Sequence, residues 1–439
     1  MALKEKLVLD IRREEWPAFA GAFLYFFLVL CAYYVLRPVR EEMAIQAGLK
    51  NITWLYTGVF VGMLLMTPLF GWISSRLPRR IFLPVVYLFF SSNLVLFYSA
   101  MKGQLPLIDA AQTAIAFFIW LSIFNYMVVS VFWSFMTDIF NDLSAKRLFG
   151  AIAAGGSAGA MVGPIITGTL VTAIGIPNLL LISATLLISC IGCIVYLNRW
   201  AVTHVDTQRG NADAAIGGGV LDGLKLTFSS PYLLGICLYV MLLQMVGNVF
   251  YVEQLRVVSI ELSTPALRTQ FFAQLDLVVN ALALFIQLFI TSAMLRKLGI
   301  VFCLTVLPII GVILLTVTGL APTLMVIAVC TVIRRTAEFA IAKPAREVLF
   351  TVTSRDERYK AKNVVDTVVS RGADAVATWA TAGLRGLGLG TSQITLAAIP
   401  LALAMVGFGV YLGRQQQKRA AVQAVLQEPA PTGAIAAKT

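Results

Sequence analysis

Residues 52–71 read ITWLYTGVFVGMLLMTPLFG, a stretch of twenty residues without a charge. A helix of about 20 apolar residues is long enough to cross the hydrocarbon layer of a membrane. The stretch is apolar on every side, whereas a strand of a membrane β-barrel would alternate polar and apolar residues. The segment therefore predicts a membrane-spanning α-helix.

The same pattern recurs along the whole chain. Hydrophobic residues make up 59% of the 439 residues and charged residues only 13%, against about 25% charged in a typical soluble domain. We predict an all-α integral membrane protein with twelve transmembrane helices. Their predicted cores are residues 17–36, 52–73, 81–101, 110–137, 151–174, 178–197, 232–252, 271–294, 300–320, 324–350, 364–384 and 393–412.

The polar segments divide these helices into two groups of six. Residues 198–230 form the longest polar interruption and predict a cytoplasmic linker between an N-terminal bundle, 17–197, and a C-terminal bundle, 231–412. Residues 1–16 carry both charge signs without a cleavage site, which predicts an amphipathic segment at the membrane surface. Residues 413–439 are predicted to be a disordered cytoplasmic tail.

The basic residues indicate the orientation. With both termini in the cytoplasm, 22 of the 34 lysines and arginines fall in cytoplasmic segments and six on the opposite side. Cytoplasmic loops of membrane proteins are enriched in these residues. The sequence therefore predicts a multi-pass protein of the inner (cytoplasmic) membrane with both termini inside, and the net charge of +12 reflects topology rather than nucleic-acid binding.

Cysteine and histidine usage argues against several classes of site. All six cysteines fall within the predicted helices, and the one histidine is His204. That pattern argues against a disulfide framework and against a zinc or haem site. The chain also has no Walker motif, which argues against ATP hydrolysis as the energy source. We expect no cofactor, no metal and no catalytic residues, so the protein is predicted not to be an enzyme.

Charged and polar residues inside the predicted helices are the candidate site, because a charge at the bilayer centre costs at least about 2.5 kcal/mol. Arginines bind anionic groups in bidentate fashion, and carboxylates balance them or carry protons. The candidate substrate-binding residues are Arg37, Arg40, Asn125, Gln244, Asn248, Asp276, Arg334, Arg335, Glu338, Arg371 and Asp374. The alternative interpretation is that these charges only neutralise one another between neighbouring helices.

A second group lies near the predicted cytoplasmic ends of the helices. We predict that these residues take part in coupling or gating, or hold the helices together as a structural latch. They are Lys343, Arg346, Glu347, Asp366, Arg76 and Arg80, with the basic stretch 355–362 beside them.

Two motifs resemble those of the major facilitator superfamily. Residues 71–80, GWISSRLPRR, are similar to its loop pattern G-x-L-A-D-R-x-G-R-R, with Ser75 in place of the acid.

In the fifth helix, the pattern of major facilitator antiporters is matched except for Thr167, which replaces a glycine. The matching and helix-packing residues are Gly150, Gly155, Gly159, Gly163, Pro164 and Gly168. The glycines at four-residue spacing predict a flat face for close helix packing, and the resemblance implies antiport.

Further stretches resemble the Tlc/NTT family of ATP/ADP antiporters. They are YVLRPVRE at 34–41, EFAIAKPARE at 338–347, YKAKNVVD at 359–366 and, more distantly, VVSVFWSF at 128–135. The resemblance implies nucleotide exchange and matches Arg40 to an essential base and Asp276 to an acid of the eighth helix. The family's acid on the fourth helix is absent, since residues 121–123 read LSI and Asn125 is the nearest polar group.

Two transport functions and one other remain open at this point. The first is alternating-access exchange of organic anions such as nucleotides, with a counter-substrate or a proton as the coupling partner. The second is proton-coupled efflux of an amphiphilic metabolite or siderophore. The third is a membrane receptor or scaffold that does not transport. The expected partners are a small anionic substrate and the lipid bilayer, with the protein as a monomer.

Overall fold

A computed structural model describes residues 11–76, 78–105, 109–204, 227–354 and 364–427, together with 357, 361 and 362. Twelve long helical segments, α1–α12, make up this part of the chain, which contains no strand. The first seven are Trp16–Gln46, Ile52–Arg76, Arg79–Met101, Ala110–Ile139, Asp142–Ile174, Ile176–His204 and Pro231–Glu261. The predicted all-α fold class is confirmed.

Three of the remaining helices contain a π-helical turn. Helix α8 comprises Pro265–Ile286, the π turn Gln287–Thr291 and Ser292–Lys297; α9 is Gly299–Leu320. Helix α10 comprises Leu324–Ala337, the π turn Glu338–Ala342 and Lys343–Leu349. Helix α11 comprises the π turn Val365–Val369 and Ser370–Gly386, and α12 comprises Thr391–Ala397 and Ile399–Gln427. Such turns are rare and are frequently found at functional sites.

Ten of the described helices are long and apolar enough to cross a membrane. The other two are α10, which carries Arg334, Arg335 and Glu338 of the candidate site, and α11, which carries Arg371 and Asp374. Large apolar side chains such as Leu65, Phe289 and Ile313 are exposed on the outer surface. A surface of this kind is suited to lipid, because water would make its exposure unfavourable.

Several helices extend beyond the predicted boundaries. Helix α1 continues past residue 36 to Gln46 and so includes Arg37 and Arg40, and α6 includes residues 198–204 of the predicted linker. Helix α12 continues to Gln427. Residues 413–427 are therefore helical rather than disordered, because they are rich in the good helix formers Ala, Gln, Lys and Arg. Residues 1–10, 205–226 and 428–439 lie outside the described part, and residues 11–15 precede α1.

Each half of the chain packs mainly on itself. In the N-terminal half, α1–α6, helix α1 packs against α4, α5 and α6. In the C-terminal half, α7–α12, helix α7 packs against α11 and α12, and α9 packs against α12. We call the end of the bundle where α1 ends and α2 begins the distal end. The core of the N-terminal half includes Leu255 of α7 and Phe272 of α8, so the two halves are packed together toward this end.

Candidate functional site

A cavity of about 190 Å³ lies between the two halves. Helices α1 and α2 contribute to its wall from one half, and α7, α8, α10 and α11 from the other. It is lined by Arg37, Arg40, Glu41, Tyr56, Gln244, Gly247, Asn248, Phe250, Tyr251, Gln254, Phe272, Asp276, Thr331, Arg334, Arg335, Glu338, Phe339 and Asp374.

Nine of the eleven residues predicted to bind substrate are in this lining. The exceptions are Asn125 and Arg371. On α4 it is Ser122, one turn before Asn125, that contacts an arginine: Arg40 Nη1 lies 3.4 Å from Ser122 Oγ. Arg371 Nη1 lies 3.4 Å from Asp374 Oδ2, and its side chain is about one-third exposed. The aromatic and glycine members of the lining were missed because they do not stand out within an apolar run.

Asp276 joins the two halves of the protein. Its Oδ1 atom lies 3.1 Å from Arg37 Nη1 on α1 and 2.8 Å from Arg335 Nη2 on α10. The carboxylate is only 4% exposed, so these contacts are poorly screened by water. Its second oxygen, Oδ2, is buried and has no hydrogen-bond partner among the described residues. One carboxylate therefore occupies the space between two arginines from opposite halves.

The π turn of α10 brings a second ionic group together. Arg334 Nη1 donates to Glu338 Oε2 at 2.9 Å, and Lys343 Nζ lies 3.9 Å from Glu338 Oε1. Glu338 and Lys343 are five residues apart and would not share a face of a regular α-helix, but the π turn has more residues per turn and places them on nearly the same face. Arg335 and Lys343 both approach the ring of Phe339, at 5.7 and 4.2 Å from its centroid. These contacts orient the cations at the cavity edge.

Polar atoms in the lining also remain without partners inside the described protein. Both amide atoms of Asn248 and the hydroxyl of Thr331 are buried and make no hydrogen bond to the described residues. Buried polar groups are nearly always hydrogen-bonded in native structures. These atoms, together with Asp276 Oδ2, are therefore placed to bind water or a polar ligand.

The distal end is closed by contacts between the halves. Arg268 of α8 donates from Nε to Glu42 Oε2 at 2.7 Å and from Nη2 to Glu42 Oε1 at 2.8 Å, and Glu42 is fully buried. The Tyr251 hydroxyl donates to Glu41, and Trp379 Nε1 donates to Thr57 Oγ1 at 3.1 Å. Each of these contacts joins α1 or α2 to a helix of the C-terminal half.

Three of the predicted coupling and gating residues, Arg346, Glu347 and Asp366, form a network with Lys362 of the basic stretch within the C-terminal half. Arg346 lies 3.1 Å from Asp366 and 3.3 Å from Glu347, and Lys362 lies 2.6 Å from Glu347. The side chains of Lys343, Glu347 and Lys362 are each more than 40% exposed, in contrast to the buried acids of the distal end. Arg76 is exposed at the end of α2, and the Arg80 side chain and residues 355–356, 358–360 and 363 lie outside the described part.

The glycines of α5 pack this helix directly against α1. A Cβ atom on Gly155, Gly159 or Gly163 would lie 2.5, 2.3 or 2.7 Å from atoms of Phe23, Phe27 or Tyr34. Opposite α8, a Cβ on Gly168 would lie 3.7 Å from that of Ala273.

Helix α5 is continuous through Pro164. Thr167, which replaces the expected glycine, donates from Oγ1 to the Val35 carbonyl of α1 at 2.8 Å. The hydroxyl thus adds a hydrogen bond to an interface otherwise made by close packing.

The comparison with protein families decides the classification. The sequence profile described as Major Facilitator Superfamily matches residues 18–352. The chain belongs to the Major Facilitator Superfamily. The prediction made from the loop after α2 and from α5 is therefore confirmed at the level of the superfamily, whose members are transporters rather than enzymes. No curated protein matches the sequence.

Solved transporter structures share this fold of the superfamily at low sequence identity. A bacterial homologue of the human lysosomal transporter Spinster, inward-facing and unoccupied, is 14% identical with a TM-score of 0.63, covering 93% of this chain and 98% of that one. A bacterial homologue of the iron transporter ferroportin, inward-facing, is 13% identical with a TM-score of 0.64, covering 92% and 98%. The nucleoside transporter NupG is 12% identical with a TM-score of 0.60, covering 92% and 98%. These similarities establish the fold alone.

Proposed function

We propose that this major facilitator transporter exchanges organic anions, such as nucleotides, across the inner membrane by alternating access. The two halves would expose the central cavity to one side of the membrane at a time, with both termini in the cytoplasm. In that orientation the closed distal end faces outward. The protein would work as a monomer, since one chain contains the whole cavity.

The arginines of the cavity carry this proposal. Arg37 and Arg40 come from α1, and Arg334 and Arg335 come from α10, so each half contributes two. Guanidinium groups bind carboxylates and phosphates with two parallel hydrogen bonds. An anion bound between the two pairs would draw the halves together, which is what a substrate must do in alternating access.

Asp276 offers a physical reason for exchange rather than one-way transport. The lining contains four acids, Glu41, Asp276, Glu338 and Asp374, which balance its four arginines. A bound anion would therefore compete with Asp276 for Arg37 and Arg335. When the substrate leaves, the carboxylate takes these arginines back and holds the halves in place, so a new anion is needed before the next reorientation.

The sequence resemblances point in the same direction. The α5 glycine pattern resembles that of antiporters, and the segments around Arg40 and Glu338 resemble those of the ATP/ADP exchangers. The missing acid on α4 is the principal departure, and in this chain Arg40 contacts Ser122 there.

A second candidate is proton-coupled efflux of an amphiphilic metabolite or siderophore. The observation that favours it is the presence of Glu338 and Asp374 in the lining beside the arginines. Protonation of either carboxylate would leave the cavity with a net positive charge and release an arginine for an anion. Glu338 or Asp374 would then carry the coupling proton, and Asp276 and Asp366 are the other acids that could do so.

Transport by purified protein in liposomes tests the proposal. Labelled ATP uptake should rise at least tenfold when the liposomes contain ADP. Arg335→Ala should abolish it, because an Arg335 truncation removes one of the two contacts to Asp276 and one cavity cation. Arg296→Ala is the matched control, since Arg296 is exposed at the end of α8, outside the cavity.

The two candidates give different results in this assay. Uptake that requires internal nucleotide but not a pH gradient supports exchange. Uptake or efflux of other anions that is driven by a pH gradient and abolished by Glu338→Gln supports proton coupling. Absence of stimulation by every nucleotide and organic anion tried would refute exchange.

A further inference from the structure

A second cavity adjoins the arginine-lined one and has a different character. Its volume is about 240 Å³, and it lies between α1, α5, α8 and α10. Most of its wall is apolar or aromatic, and Phe339 belongs to the wall of both cavities. The lining residues are Phe26, Leu30, Tyr34, Ala153, Gly156, Ser157, Ala160, Asn280, Ala283, Leu284, Gln287 and Phe339.

Three helices contribute to both cavities through residues three or four positions apart. On α1, Tyr34 lines the apolar cavity and Arg37 the ionic one. On α8 the corresponding pair is Asn280 and Asp276, and on α10 it is Phe339 and Arg335. Residues three or four apart share a helix face and are separated by about one turn, roughly 5.4 Å. The apolar cavity therefore lies about one helical turn from the arginines along all three helices.

The aromatic residues at this boundary are held in position by the charged ones. Arg37 lies 5.6 Å from the centroid of the Tyr34 ring, and Arg335 and Lys343 approach the Phe339 ring. Rings fixed in this way present faces and edges on which another aromatic ring can stack. The boundary is thus suited to a molecule that is anionic at one end and aromatic at the other.

Two amides give the apolar cavity hydrogen-bonding capacity. Asn280 Nδ2 donates to the Ala160 carbonyl at 2.8 Å, and Gln287 Nε2 donates to the Phe339 carbonyl at 2.9 Å. Each bond uses one of the two N–H donors of its amide and orients the amide, and no described residue donates to Asn280 Oδ1 or Gln287 Oε1. Each amide therefore keeps an acceptor oxygen and a second N–H, which suit the N–H and ring-nitrogen groups of a heterocyclic ring.

We propose that the two cavities form a single binding site for an organic anion that carries an aromatic or heterocyclic ring about one helical turn from its anionic group. The arginines bind the anionic group, and Phe26, Tyr34 and Phe339 surround the ring. This assignment rests on the proposed function and narrows its substrate class. It also assigns a ring-binding role to residues of α1, α5 and α10 that carry no charge.

Binding of matched probe pairs to the purified, full-length protein tests the assignment. The pairs are ATP with tripolyphosphate, and phenyl phosphate with inorganic phosphate, measured by titration calorimetry. Within each pair the ring-bearing member should bind about tenfold more tightly, because burying a ring removes apolar surface from water. Ser157→Phe, which fills the apolar cavity, should abolish this difference and leave tripolyphosphate binding within twofold of wild type.

Two further variants keep the test decisive. Ser189→Phe is the matched control, because Ser189 is an exposed serine on α6 that, like Ser157, hydrogen-bonds within its own helix. Phe339→Ala removes the shared ring rather than filling the space, and it should also reduce the preference for ring-bearing probes. If Ser157→Phe does not fold, Phe339→Ala provides the test in its place.

Each outcome has a definite meaning. Equal binding within both pairs refutes the ring site while leaving anion exchange standing. A preference for ring-bearing probes that survives both Ser157→Phe and Phe339→Ala places the ring elsewhere and also refutes the assignment. Failure of every anion to bind wild-type protein overturns the proposed function, and the ring site with it.

Discussion

Replacing Glu42 with glutamine should open the distal end. Glu42 is fully buried and accepts two hydrogen bonds from Arg268, which lies in the other half of the protein. Removing one partner of a buried ion pair costs about 3 kcal/mol. The cost falls on the closed state, because both side chains are hydrated once the halves separate. Since 1.4 kcal/mol corresponds to a factor of ten, the ratio of closed to open protein should fall about a hundredfold.

Spin labels on either side of the distal end measure this change. Lys50→Cys before α2 and Ser263→Cys between α7 and α8 provide the label sites, and all six native cysteines are buried. Pulsed dipolar spectroscopy should give a single short distance in this background and a longer component after Glu42→Gln. With a starting ratio of 99:1, the two components would become about equal.

Glu253→Gln is the matched control for this experiment. Glu253 is only 1% exposed and pairs with Arg385, but both residues belong to the C-terminal half. The variant should lower stability without changing the distance between the labels. An unchanged distance distribution after Glu42→Gln, or the same change after Glu253→Gln, would refute the idea that the pair between the halves controls the opening.

Two other predictions concern stability. Gly159→Ala should lower the thermal unfolding temperature, because the added Cβ would lie 2.3 Å from the Phe27 carbonyl and overpacking costs about 1–3 kcal/mol. Gly150→Ala is the control and should leave the unfolding temperature unchanged, because nothing lies within 4 Å of its added Cβ. Equal effects of the two variants would contradict the close packing of α5. Glu15→Gln should lower the free energy of unfolding by about 2 kcal/mol at neutral pH. Burial raises the pKa of Glu15, but hydrogen bonds from Ser144, Arg12 and Arg147 lower it below 4.5 overall. The ionised Glu15 carboxylate therefore stabilises the folded protein fully above pH 4.5, and this stabilisation is lost as the pH falls through the depressed pKa of Glu15. Unfolding temperatures of both proteins between pH 3 and pH 8 should converge at the acidic end, and a constant difference would contradict this origin.

Much of the helical architecture could be predicted because it depends on local composition. The run at residues 52–71 predicts a spanning helix, and the structure has α2 over Ile52–Arg76. Predicted boundaries failed where polar residues continue a helix, as with Arg37 and Arg40 on α1 and residues 413–427 on α12. Hydropathy measures affinity for lipid, whereas a helix ends where its backbone hydrogen bonding ends, and the two need not coincide.

The candidate site could be predicted only in part. Charges within apolar runs identified Arg37, Asp276 and Arg335 as candidates, because a charge is costly in a membrane. Their contacts could not be predicted, since the three residues come from α1, α8 and α10 and are far apart in the chain. On α4, the polar residue that contacts an arginine is Ser122, not Asn125.

The sequence by itself determined that this is a twelve-helix membrane protein with charges placed inside it, because hydrophobicity and charge act residue by residue. Tertiary structure decided which charges meet, and it brought Phe26, Tyr34 and Phe339 together beside them. It also decided that the halves are joined at the distal end through Glu42 and Arg268. These features depend on the relative positions of helices, which packing of side chains across the whole bundle sets and no local pattern encodes.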